Sequence, residues 1–173
     1  MISCKTIPQL STILVLIVVF GTANLTYAQE SSAQPQLGFY WINGGVGGGA
    51  GSATSGPAAG LDLSIQPPRP GFLLFSLRGI VTAEILGDDI SDVAFLIGYS
   101  SKRPQSHGYF SIAIGVSRVA GSAIDATFGI PIELQLFYTP LSFVGIGLLG
   151  FADFNKEETF GGALLCLQFG KLR

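Results

Sequence analysis

Thr127 to Phe154 reads TFGIPIELQLFYTPLSFVGIGLLGFADF. Phe128, Ile130, Ile132, Leu134, Leu136 and Tyr138 recur at every second position, with Gly129, Glu133 and Gln135 between them. A period of two belongs to a strand, whose successive side chains point to opposite faces. After Tyr138-Thr139-Pro140 the alternation resumes, Val144, Ile146 and Leu148 against Gly145, Gly147 and Leu149. The stretch therefore predicts two long strands folded back on each other. An ordinary sheet buries its apolar face under other elements, yet no helical pattern follows that could cover this one. The alternation instead recurs from end to end, which points to a closed barrel whose apolar face meets lipid.

Working outward from this hairpin, six further segments carry the same pattern: 38–49, 58–66, 72–85, 92–101, 108–118 and 159–171. Each is near the roughly 9–11 residues that a tilted membrane strand needs. The clearest is 58–66, where Ala59, Leu61, Leu63 and Ile65 oppose Gly60, Asp62, Ser64 and Gln66. Turn chemistry separates the segments: GSATSGP at 51–57, PPRPG at 67–71, SKRPQS at 101–106 and NKEE at 155–158. The predicted fold class is all-β, an eight-stranded antiparallel up-and-down transmembrane β-barrel. An even strand count puts both termini at one end, together with the turns at 67–71, 101–106 and 139–140. Pro131 stands against this register, because proline cannot donate to a ladder and a closed barrel has no free edge. A bulge or a place near the rim is expected to accommodate it.

Before the barrel, Lys5 and the apolar run Leu10 to Phe20, followed by Thr26-Tyr27-Ala28, predict a cleavable signal peptide over 1–28. A mostly polar leader with Pro35 fills 29–37, and 38–173 is read as one domain. Cys4 would leave with the signal, so Cys166 is expected as an unpaired thiol. The chain is 48% hydrophobic and 12% charged, with a formal net charge of −2, which speaks against nucleic-acid binding.

The face opposite the apolar stripe defines a predicted lumen. It gathers Asp62, Arg78, Glu84, Glu133 and Gln135, with Ser64, Gln66, Ser76, Thr82 and Gln168. A cation enclosed among carboxylates is costly unless paired, and the preferred pair is Arg78 with Asp62 or Glu133. Eight strands leave an interior just wide enough for its own side chains, so a polar plug is preferred over a conducting gate. Acidic residues Asp88, Asp89, Asp92, Asp125, Asp153, Glu157 and Glu158 are assigned to the external rim. Basic residues Arg69, Lys102, Arg103, Lys171 and Arg173 fall to the terminal side. The aromatic residues Phe39, Tyr40, Trp41, Tyr99, Tyr109, Phe137 and Tyr138 lie near strand ends, as in the girdles of membrane barrels. No metal-ligand spacing is present and no cofactor is expected. Gly45-Val46-Gly47-Gly48-Gly49-Ala50 matches a phosphate-cradle pattern nominally, but no helix starts after it.

FYWINGGVGGG at 39–49, LQLFYTPLSFVGIGLLG at 134–150 and ALLCLQFGKL at 163–172 resemble the small outer-membrane β-barrel family, OmpA-like or porin-like. That resemblance implies residence in a bacterial outer membrane, with membrane lipids and the barrel-insertion machinery as partners. It also implies a mainly structural or surface role, with at most minor permeability. The chain departs from the family at its end: the last aromatic is Phe169, followed by Gly170-Lys171-Leu172-Arg173. Two alternatives accompany this reading. One is a lipid-modifying enzyme of the lipid A deacylase type, which would need a His-x-Ser pair; His107 is followed by Gly108 and Tyr109 instead. The other is a soluble, secreted, lipocalin-like binder of a hydrophobic ligand.

Overall fold

A computed structural model describes residues 38–51, 55–83, 89–122 and 125–172. The expected signal peptide and leader, and Glu84 of the expected lumen set, lie outside the described residues. Eight strands follow one another: β1 (Phe39–Gly51), β2 (Ser55–Gln66), β3 (Leu73–Ala83), β4 (Asp89–Ser100), β5 (Gly108–Gly121), β6 (Thr127–Tyr138), β7 (Val144–Asn155) and β8 (Phe160–Lys171). Each pairs antiparallel with its sequence neighbour, and β1 pairs with β8 from Tyr40↔Lys171 to Gly51↔Phe160, which closes the ring. Closure leaves no strand edge, so each strand pairs with a neighbour on both sides.

The period of two translates directly into an inside and an outside. In β6, Phe128, Ile130, Leu134, Leu136 and Tyr138 are exposed while Gly129, Pro131, Glu133, Gln135 and Phe137 are buried. β2 and β5 divide in the same way, with Leu61, Leu63 and Ile65 outside and Asp62, Ser64 and Gln66 inside; Phe110, Ile112, Ile114 and Val116 are outside and Ser111 and Ser117 inside. The outer surface is a belt of Leu, Ile, Val and Phe, the inverse of a soluble barrel. A lipocalin-like binder would show the opposite polarity, so that alternative does not fit the fold. Soluble monomers rarely expose large contiguous apolar patches.

Pro131 is accommodated differently from expectation. The β5–β6 ladder runs Ile114↔Ile132 and resumes at Ser117↔Gly129, leaving Gly115 and Val116 unpaired opposite Pro131 and Ile130. The register is the same on both sides of the gap, so there is no bulge. On its other side Pro131 stays in the ladder, opposite Asp153 of β7. The proline thus faces its missing N–H toward a two-residue break in one ladder. Pro57, expected in a turn, is a strand residue paired with Gly48. The β2–β3 ladder starts only at Ala58↔Thr82, so Pro57 lies where β2 has a partner on the β1 side alone.

Close approach of neighbouring strands selects glycine at Gly115. A Cβ built there would lie 1.9 Å from the Phe95 carbonyl oxygen and 2.8 Å from the Leu96 Cα, both backbone atoms that cannot turn aside. Gly115→Ala is expected to lower the urea unfolding free energy of the folded barrel by about 1–3 kcal/mol, the usual cost of overpacking.

Candidate functional site in the barrel lumen

The inward faces of all eight strands meet in a lumen filled by side chains. Asp62, Arg78, Glu133 and Gln135 are all buried there, as the alternation predicts. Their pairing is not the expected one. Arg78 and Asp62 are cross-strand neighbours in the β2–β3 register, yet they form no direct ion pair. Arg78 instead reaches toward the loop-side end of the barrel, where its Nη2 donates to Asp92 Oδ2 at 2.5 Å. Glu133 Oε2 lies 3.6 Å from Nη1, and the guanidinium sits 5.7 Å from the centroid of the Phe151 ring. The preferred Glu133 partner is therefore present as the longer contact, and Asp92 is the shorter one.

Asp62 is free to do without a cation because four donors surround it. Its Oδ1 accepts from Ser64 Oγ at 2.7 Å, Asn43 Nδ2 at 2.9 Å and Gln135 Nε2 at 3.1 Å, and its Oδ2 accepts from Ser76 Oγ. Neutral donors of this kind favour a buried carboxylate without the geometric demands of an ion pair. Gln135 couples the two groups, since its Nε2 also donates to Glu133 Oε1 at 2.7 Å. The network then runs toward the turn-side end. Tyr109 donates its hydroxyl to Gln135 Oε1 and accepts from Gln168 Nε2 at 2.5 Å, and Gln168 donates onward to Asn43 Oδ1 at 2.9 Å. Apolar residues Ile80, Leu96, Leu149 and Leu164 fill the space between the polar groups.

Asp92 and Asp153, assigned from sequence to an acidic external rim, are lumen residues. Asp153 accepts from Ser117 Oγ and, at 3.1 Å, from Asn155 Nδ2. The signal was present: the alternation that turns Ala94 inward also turns Asp92 inward, and Asp153 shares the parity of Leu149. Glu158 is also buried rather than part of a solvated rim. Lys102, assigned from sequence to the terminal side, lies at that end and is buried. Trp41, Tyr109 and Phe137 likewise point into the barrel, where Tyr109 stacks on Phe137 at 5.7 Å between centroids and meets Trp41 tilted at 5.5 Å. The outward aromatics at this end are Tyr40, Phe72, Tyr99, Phe110, Tyr138, Phe143 and Phe169. The girdle therefore exists with a different membership.

His107 sits exposed in the link between β4 and β5. Ser106 uses its hydroxyl on the Gly108 backbone, and Ser111 is buried inside the barrel. Cys166 is a buried thiol among Leu164, Gly45 and Leu149. Among the described residues, no group of three or more His, Cys, Asp or Glu side chains is arranged to hold a metal ion.

A closed barrel of this shape is found among known structures. Over 76% of the chain it superposes on 96% of Neisserial surface protein A, with a TM-score of 0.57 and 11% identity. The fold is that of the small eight-stranded outer-membrane barrels. Ail, the attachment invasion locus protein of Yersinia pestis, matches 77% of the chain over 97% of its own length, with a TM-score of 0.56 and 10% identity. OprG of Pseudomonas aeruginosa matches 77% over 95% of its length, with a TM-score of 0.53 and 11% identity. Neither a protein-family model nor a curated protein sequence matches the chain. At such identities the shared property is the barrel itself.

Proposed function

We propose that the protein is an integral component of a bacterial outer membrane, with a structural or surface role and a lumen that is plugged rather than conducting. One observation carries the reading. Gln135 of β6 bonds Asp62 of β2, Arg78 of β3 meets Glu133 of β6 and Gln168 of β8 bonds the Tyr109 hydroxyl of β5, all across the interior, and the gap between Asn43, Asp62, Arg78, Leu149 and Cys166 has no room for a water molecule. A porin leaves an aqueous path, whereas eight strands enclose only enough space for their own side chains. The apolar belt supports lipid as the surrounding medium, and outer-membrane lipids and the insertion machinery are the partners this reading requires.

Two measurements test it. The protein is expected in the membrane fraction, and it should migrate differently on a gel before and after boiling, as a folded barrel does. Reconstituted in planar bilayers at high salt, it is expected to give no steps resolvable from those of protein-free bilayers. A stable, ohmic conductance from the unmodified protein would replace the plug with a pore, and recovery as a detergent-free soluble monomer would remove the membrane reading altogether.

A further inference from the structure

The turn between β4 and β5 sends a cation into the barrel. Lys102 is 2% exposed, with its Nζ 4.3 Å from the centroid of the Tyr109 ring and 5.6 Å from those of Phe39 and Trp41. An ammonium ion over several aromatic faces is attracted by their negative quadrupoles, and a water-excluded site strengthens the attraction. A cage of aromatic rings is also how proteins recognise quaternary ammonium ligands. The backbone of this turn is held in place as well. The Lys102 N–H donates to Ser100 Oγ at 3.2 Å, and its carbonyl accepts from Gln66 Nε2 at 3.2 Å. Gln66 also donates to the Gly71 carbonyl, which ties in the β2–β3 link, and the Thr139 N–H donates to the His107 carbonyl at 2.6 Å, which ties in the β6–β7 link. All three links at this end are thereby joined across the mouth.

We propose that Lys102 is a built-in alkylammonium ligand: seated in the box of Phe39, Trp41 and Tyr109, it latches the β4–β5 turn over the turn-side mouth of the barrel. The box is then a cation site in its own right, one that an external alkylammonium enters when the lysine is removed. Lysine suits the role because a compact ammonium on a flexible four-carbon stem reaches the rings where a planar guanidinium fork would need more room. This closure meets the lumen network at Tyr109, whose ring receives the ammonium while its hydroxyl bonds Gln135 and Gln168, and it does not depend on whether the lumen conducts.

Trp41 is the single tryptophan of the chain, so its fluorescence reads the box directly. Wild type and Lys102→Ala, folded in detergent micelles, are titrated with n-butylammonium chloride and, separately, with 1-butanol. The alanine variant is expected to show a saturable change in Trp41 emission and a rise in unfolding temperature with butylammonium only. Wild type, whose box is occupied, is expected to show neither. An unresponsive variant, an equal response of wild type, or an equal effect of 1-butanol overturns the proposal. Lys102→Met keeps the stem and removes the charge, and covers the case in which the alanine variant does not fold. Its Trp41 is expected to be quenched by acrylamide severalfold more strongly than in wild type, and equal quenching overturns the latch.

Discussion

Arg78→Met is expected to lower the unfolding free energy of the barrel by about 3–5 kcal/mol, the cost of leaving buried charge without its partner. Asp92 and Glu133 both lie against the guanidinium, at 2.5 Å and 3.6 Å, and all three side chains are fully enclosed. Methionine fills much of the same volume beside Phe151 but offers nothing to either carboxylate. Urea unfolding in phospholipid vesicles, followed through Trp41, measures the loss. The triple variant Arg78→Met, Asp92→Asn, Glu133→Gln is expected to recover most of it, because a neutral set costs far less to bury than a broken ionic one. A single-variant loss under about 1 kcal/mol would show that the ion cluster does not hold the lumen together. Asp62 gives an internal contrast, since its four hydrogen-bond donors do not include Arg78 and remain in place in every one of these variants.

The second large effect belongs to the outer face. Ile114 is half-exposed and sits midway along β5, flanked by Ile97 of β4 and Ile132 of β6. Ile114→Arg is expected to cost about 2–4 kcal/mol in lipid, the penalty for arginine near the bilayer midplane of a barrel, whereas the same change near the rim costs about 0–1 kcal/mol. Phe128, the most exposed of the large apolar side chains among the described residues at 81%, lies near the loop-side end of β6 and provides the rim comparison. The expected ranking, Ile114→Arg far worse than Phe128→Arg, is measured by vesicle-based urea titration. Equal and negligible costs would mean that water, not lipid, meets this surface.

Much of the site was legible in the period of two. Asp62, Arg78, Glu133 and Gln135 were placed in the lumen by their parity alone, and the structure places all four there. Asp92 and Asp153 were equally readable by parity, but their acidic character near strand ends suggested solvent instead. β1 was harder, because glycines at 44, 45, 47, 48 and 49 remove the alternation that would have shown Trp41 and Asn43 turned inward. For Lys102 the sequence carries no periodic signal at all, since a turn residue has no strand parity and its direction depends on the rings that receive it.

The sequence by itself determined the strand count, the barrel and which face of each strand turns outward, because a strand exposes its sides alternately and the apolar residues recur with that period. Partner choice inside the lumen was decided by tertiary structure. Stagger between strands brings Arg78 to Asp92 on β4 and to Glu133 across the barrel, while its register neighbour Asp62 is taken up by Asn43, Ser64, Ser76 and Gln135. The accommodation of Pro131 was decided there too. Whether a missing N–H falls on a bulge or on a short break in one ladder depends on how two strands meet, and neither strand's sequence contains that geometry alone.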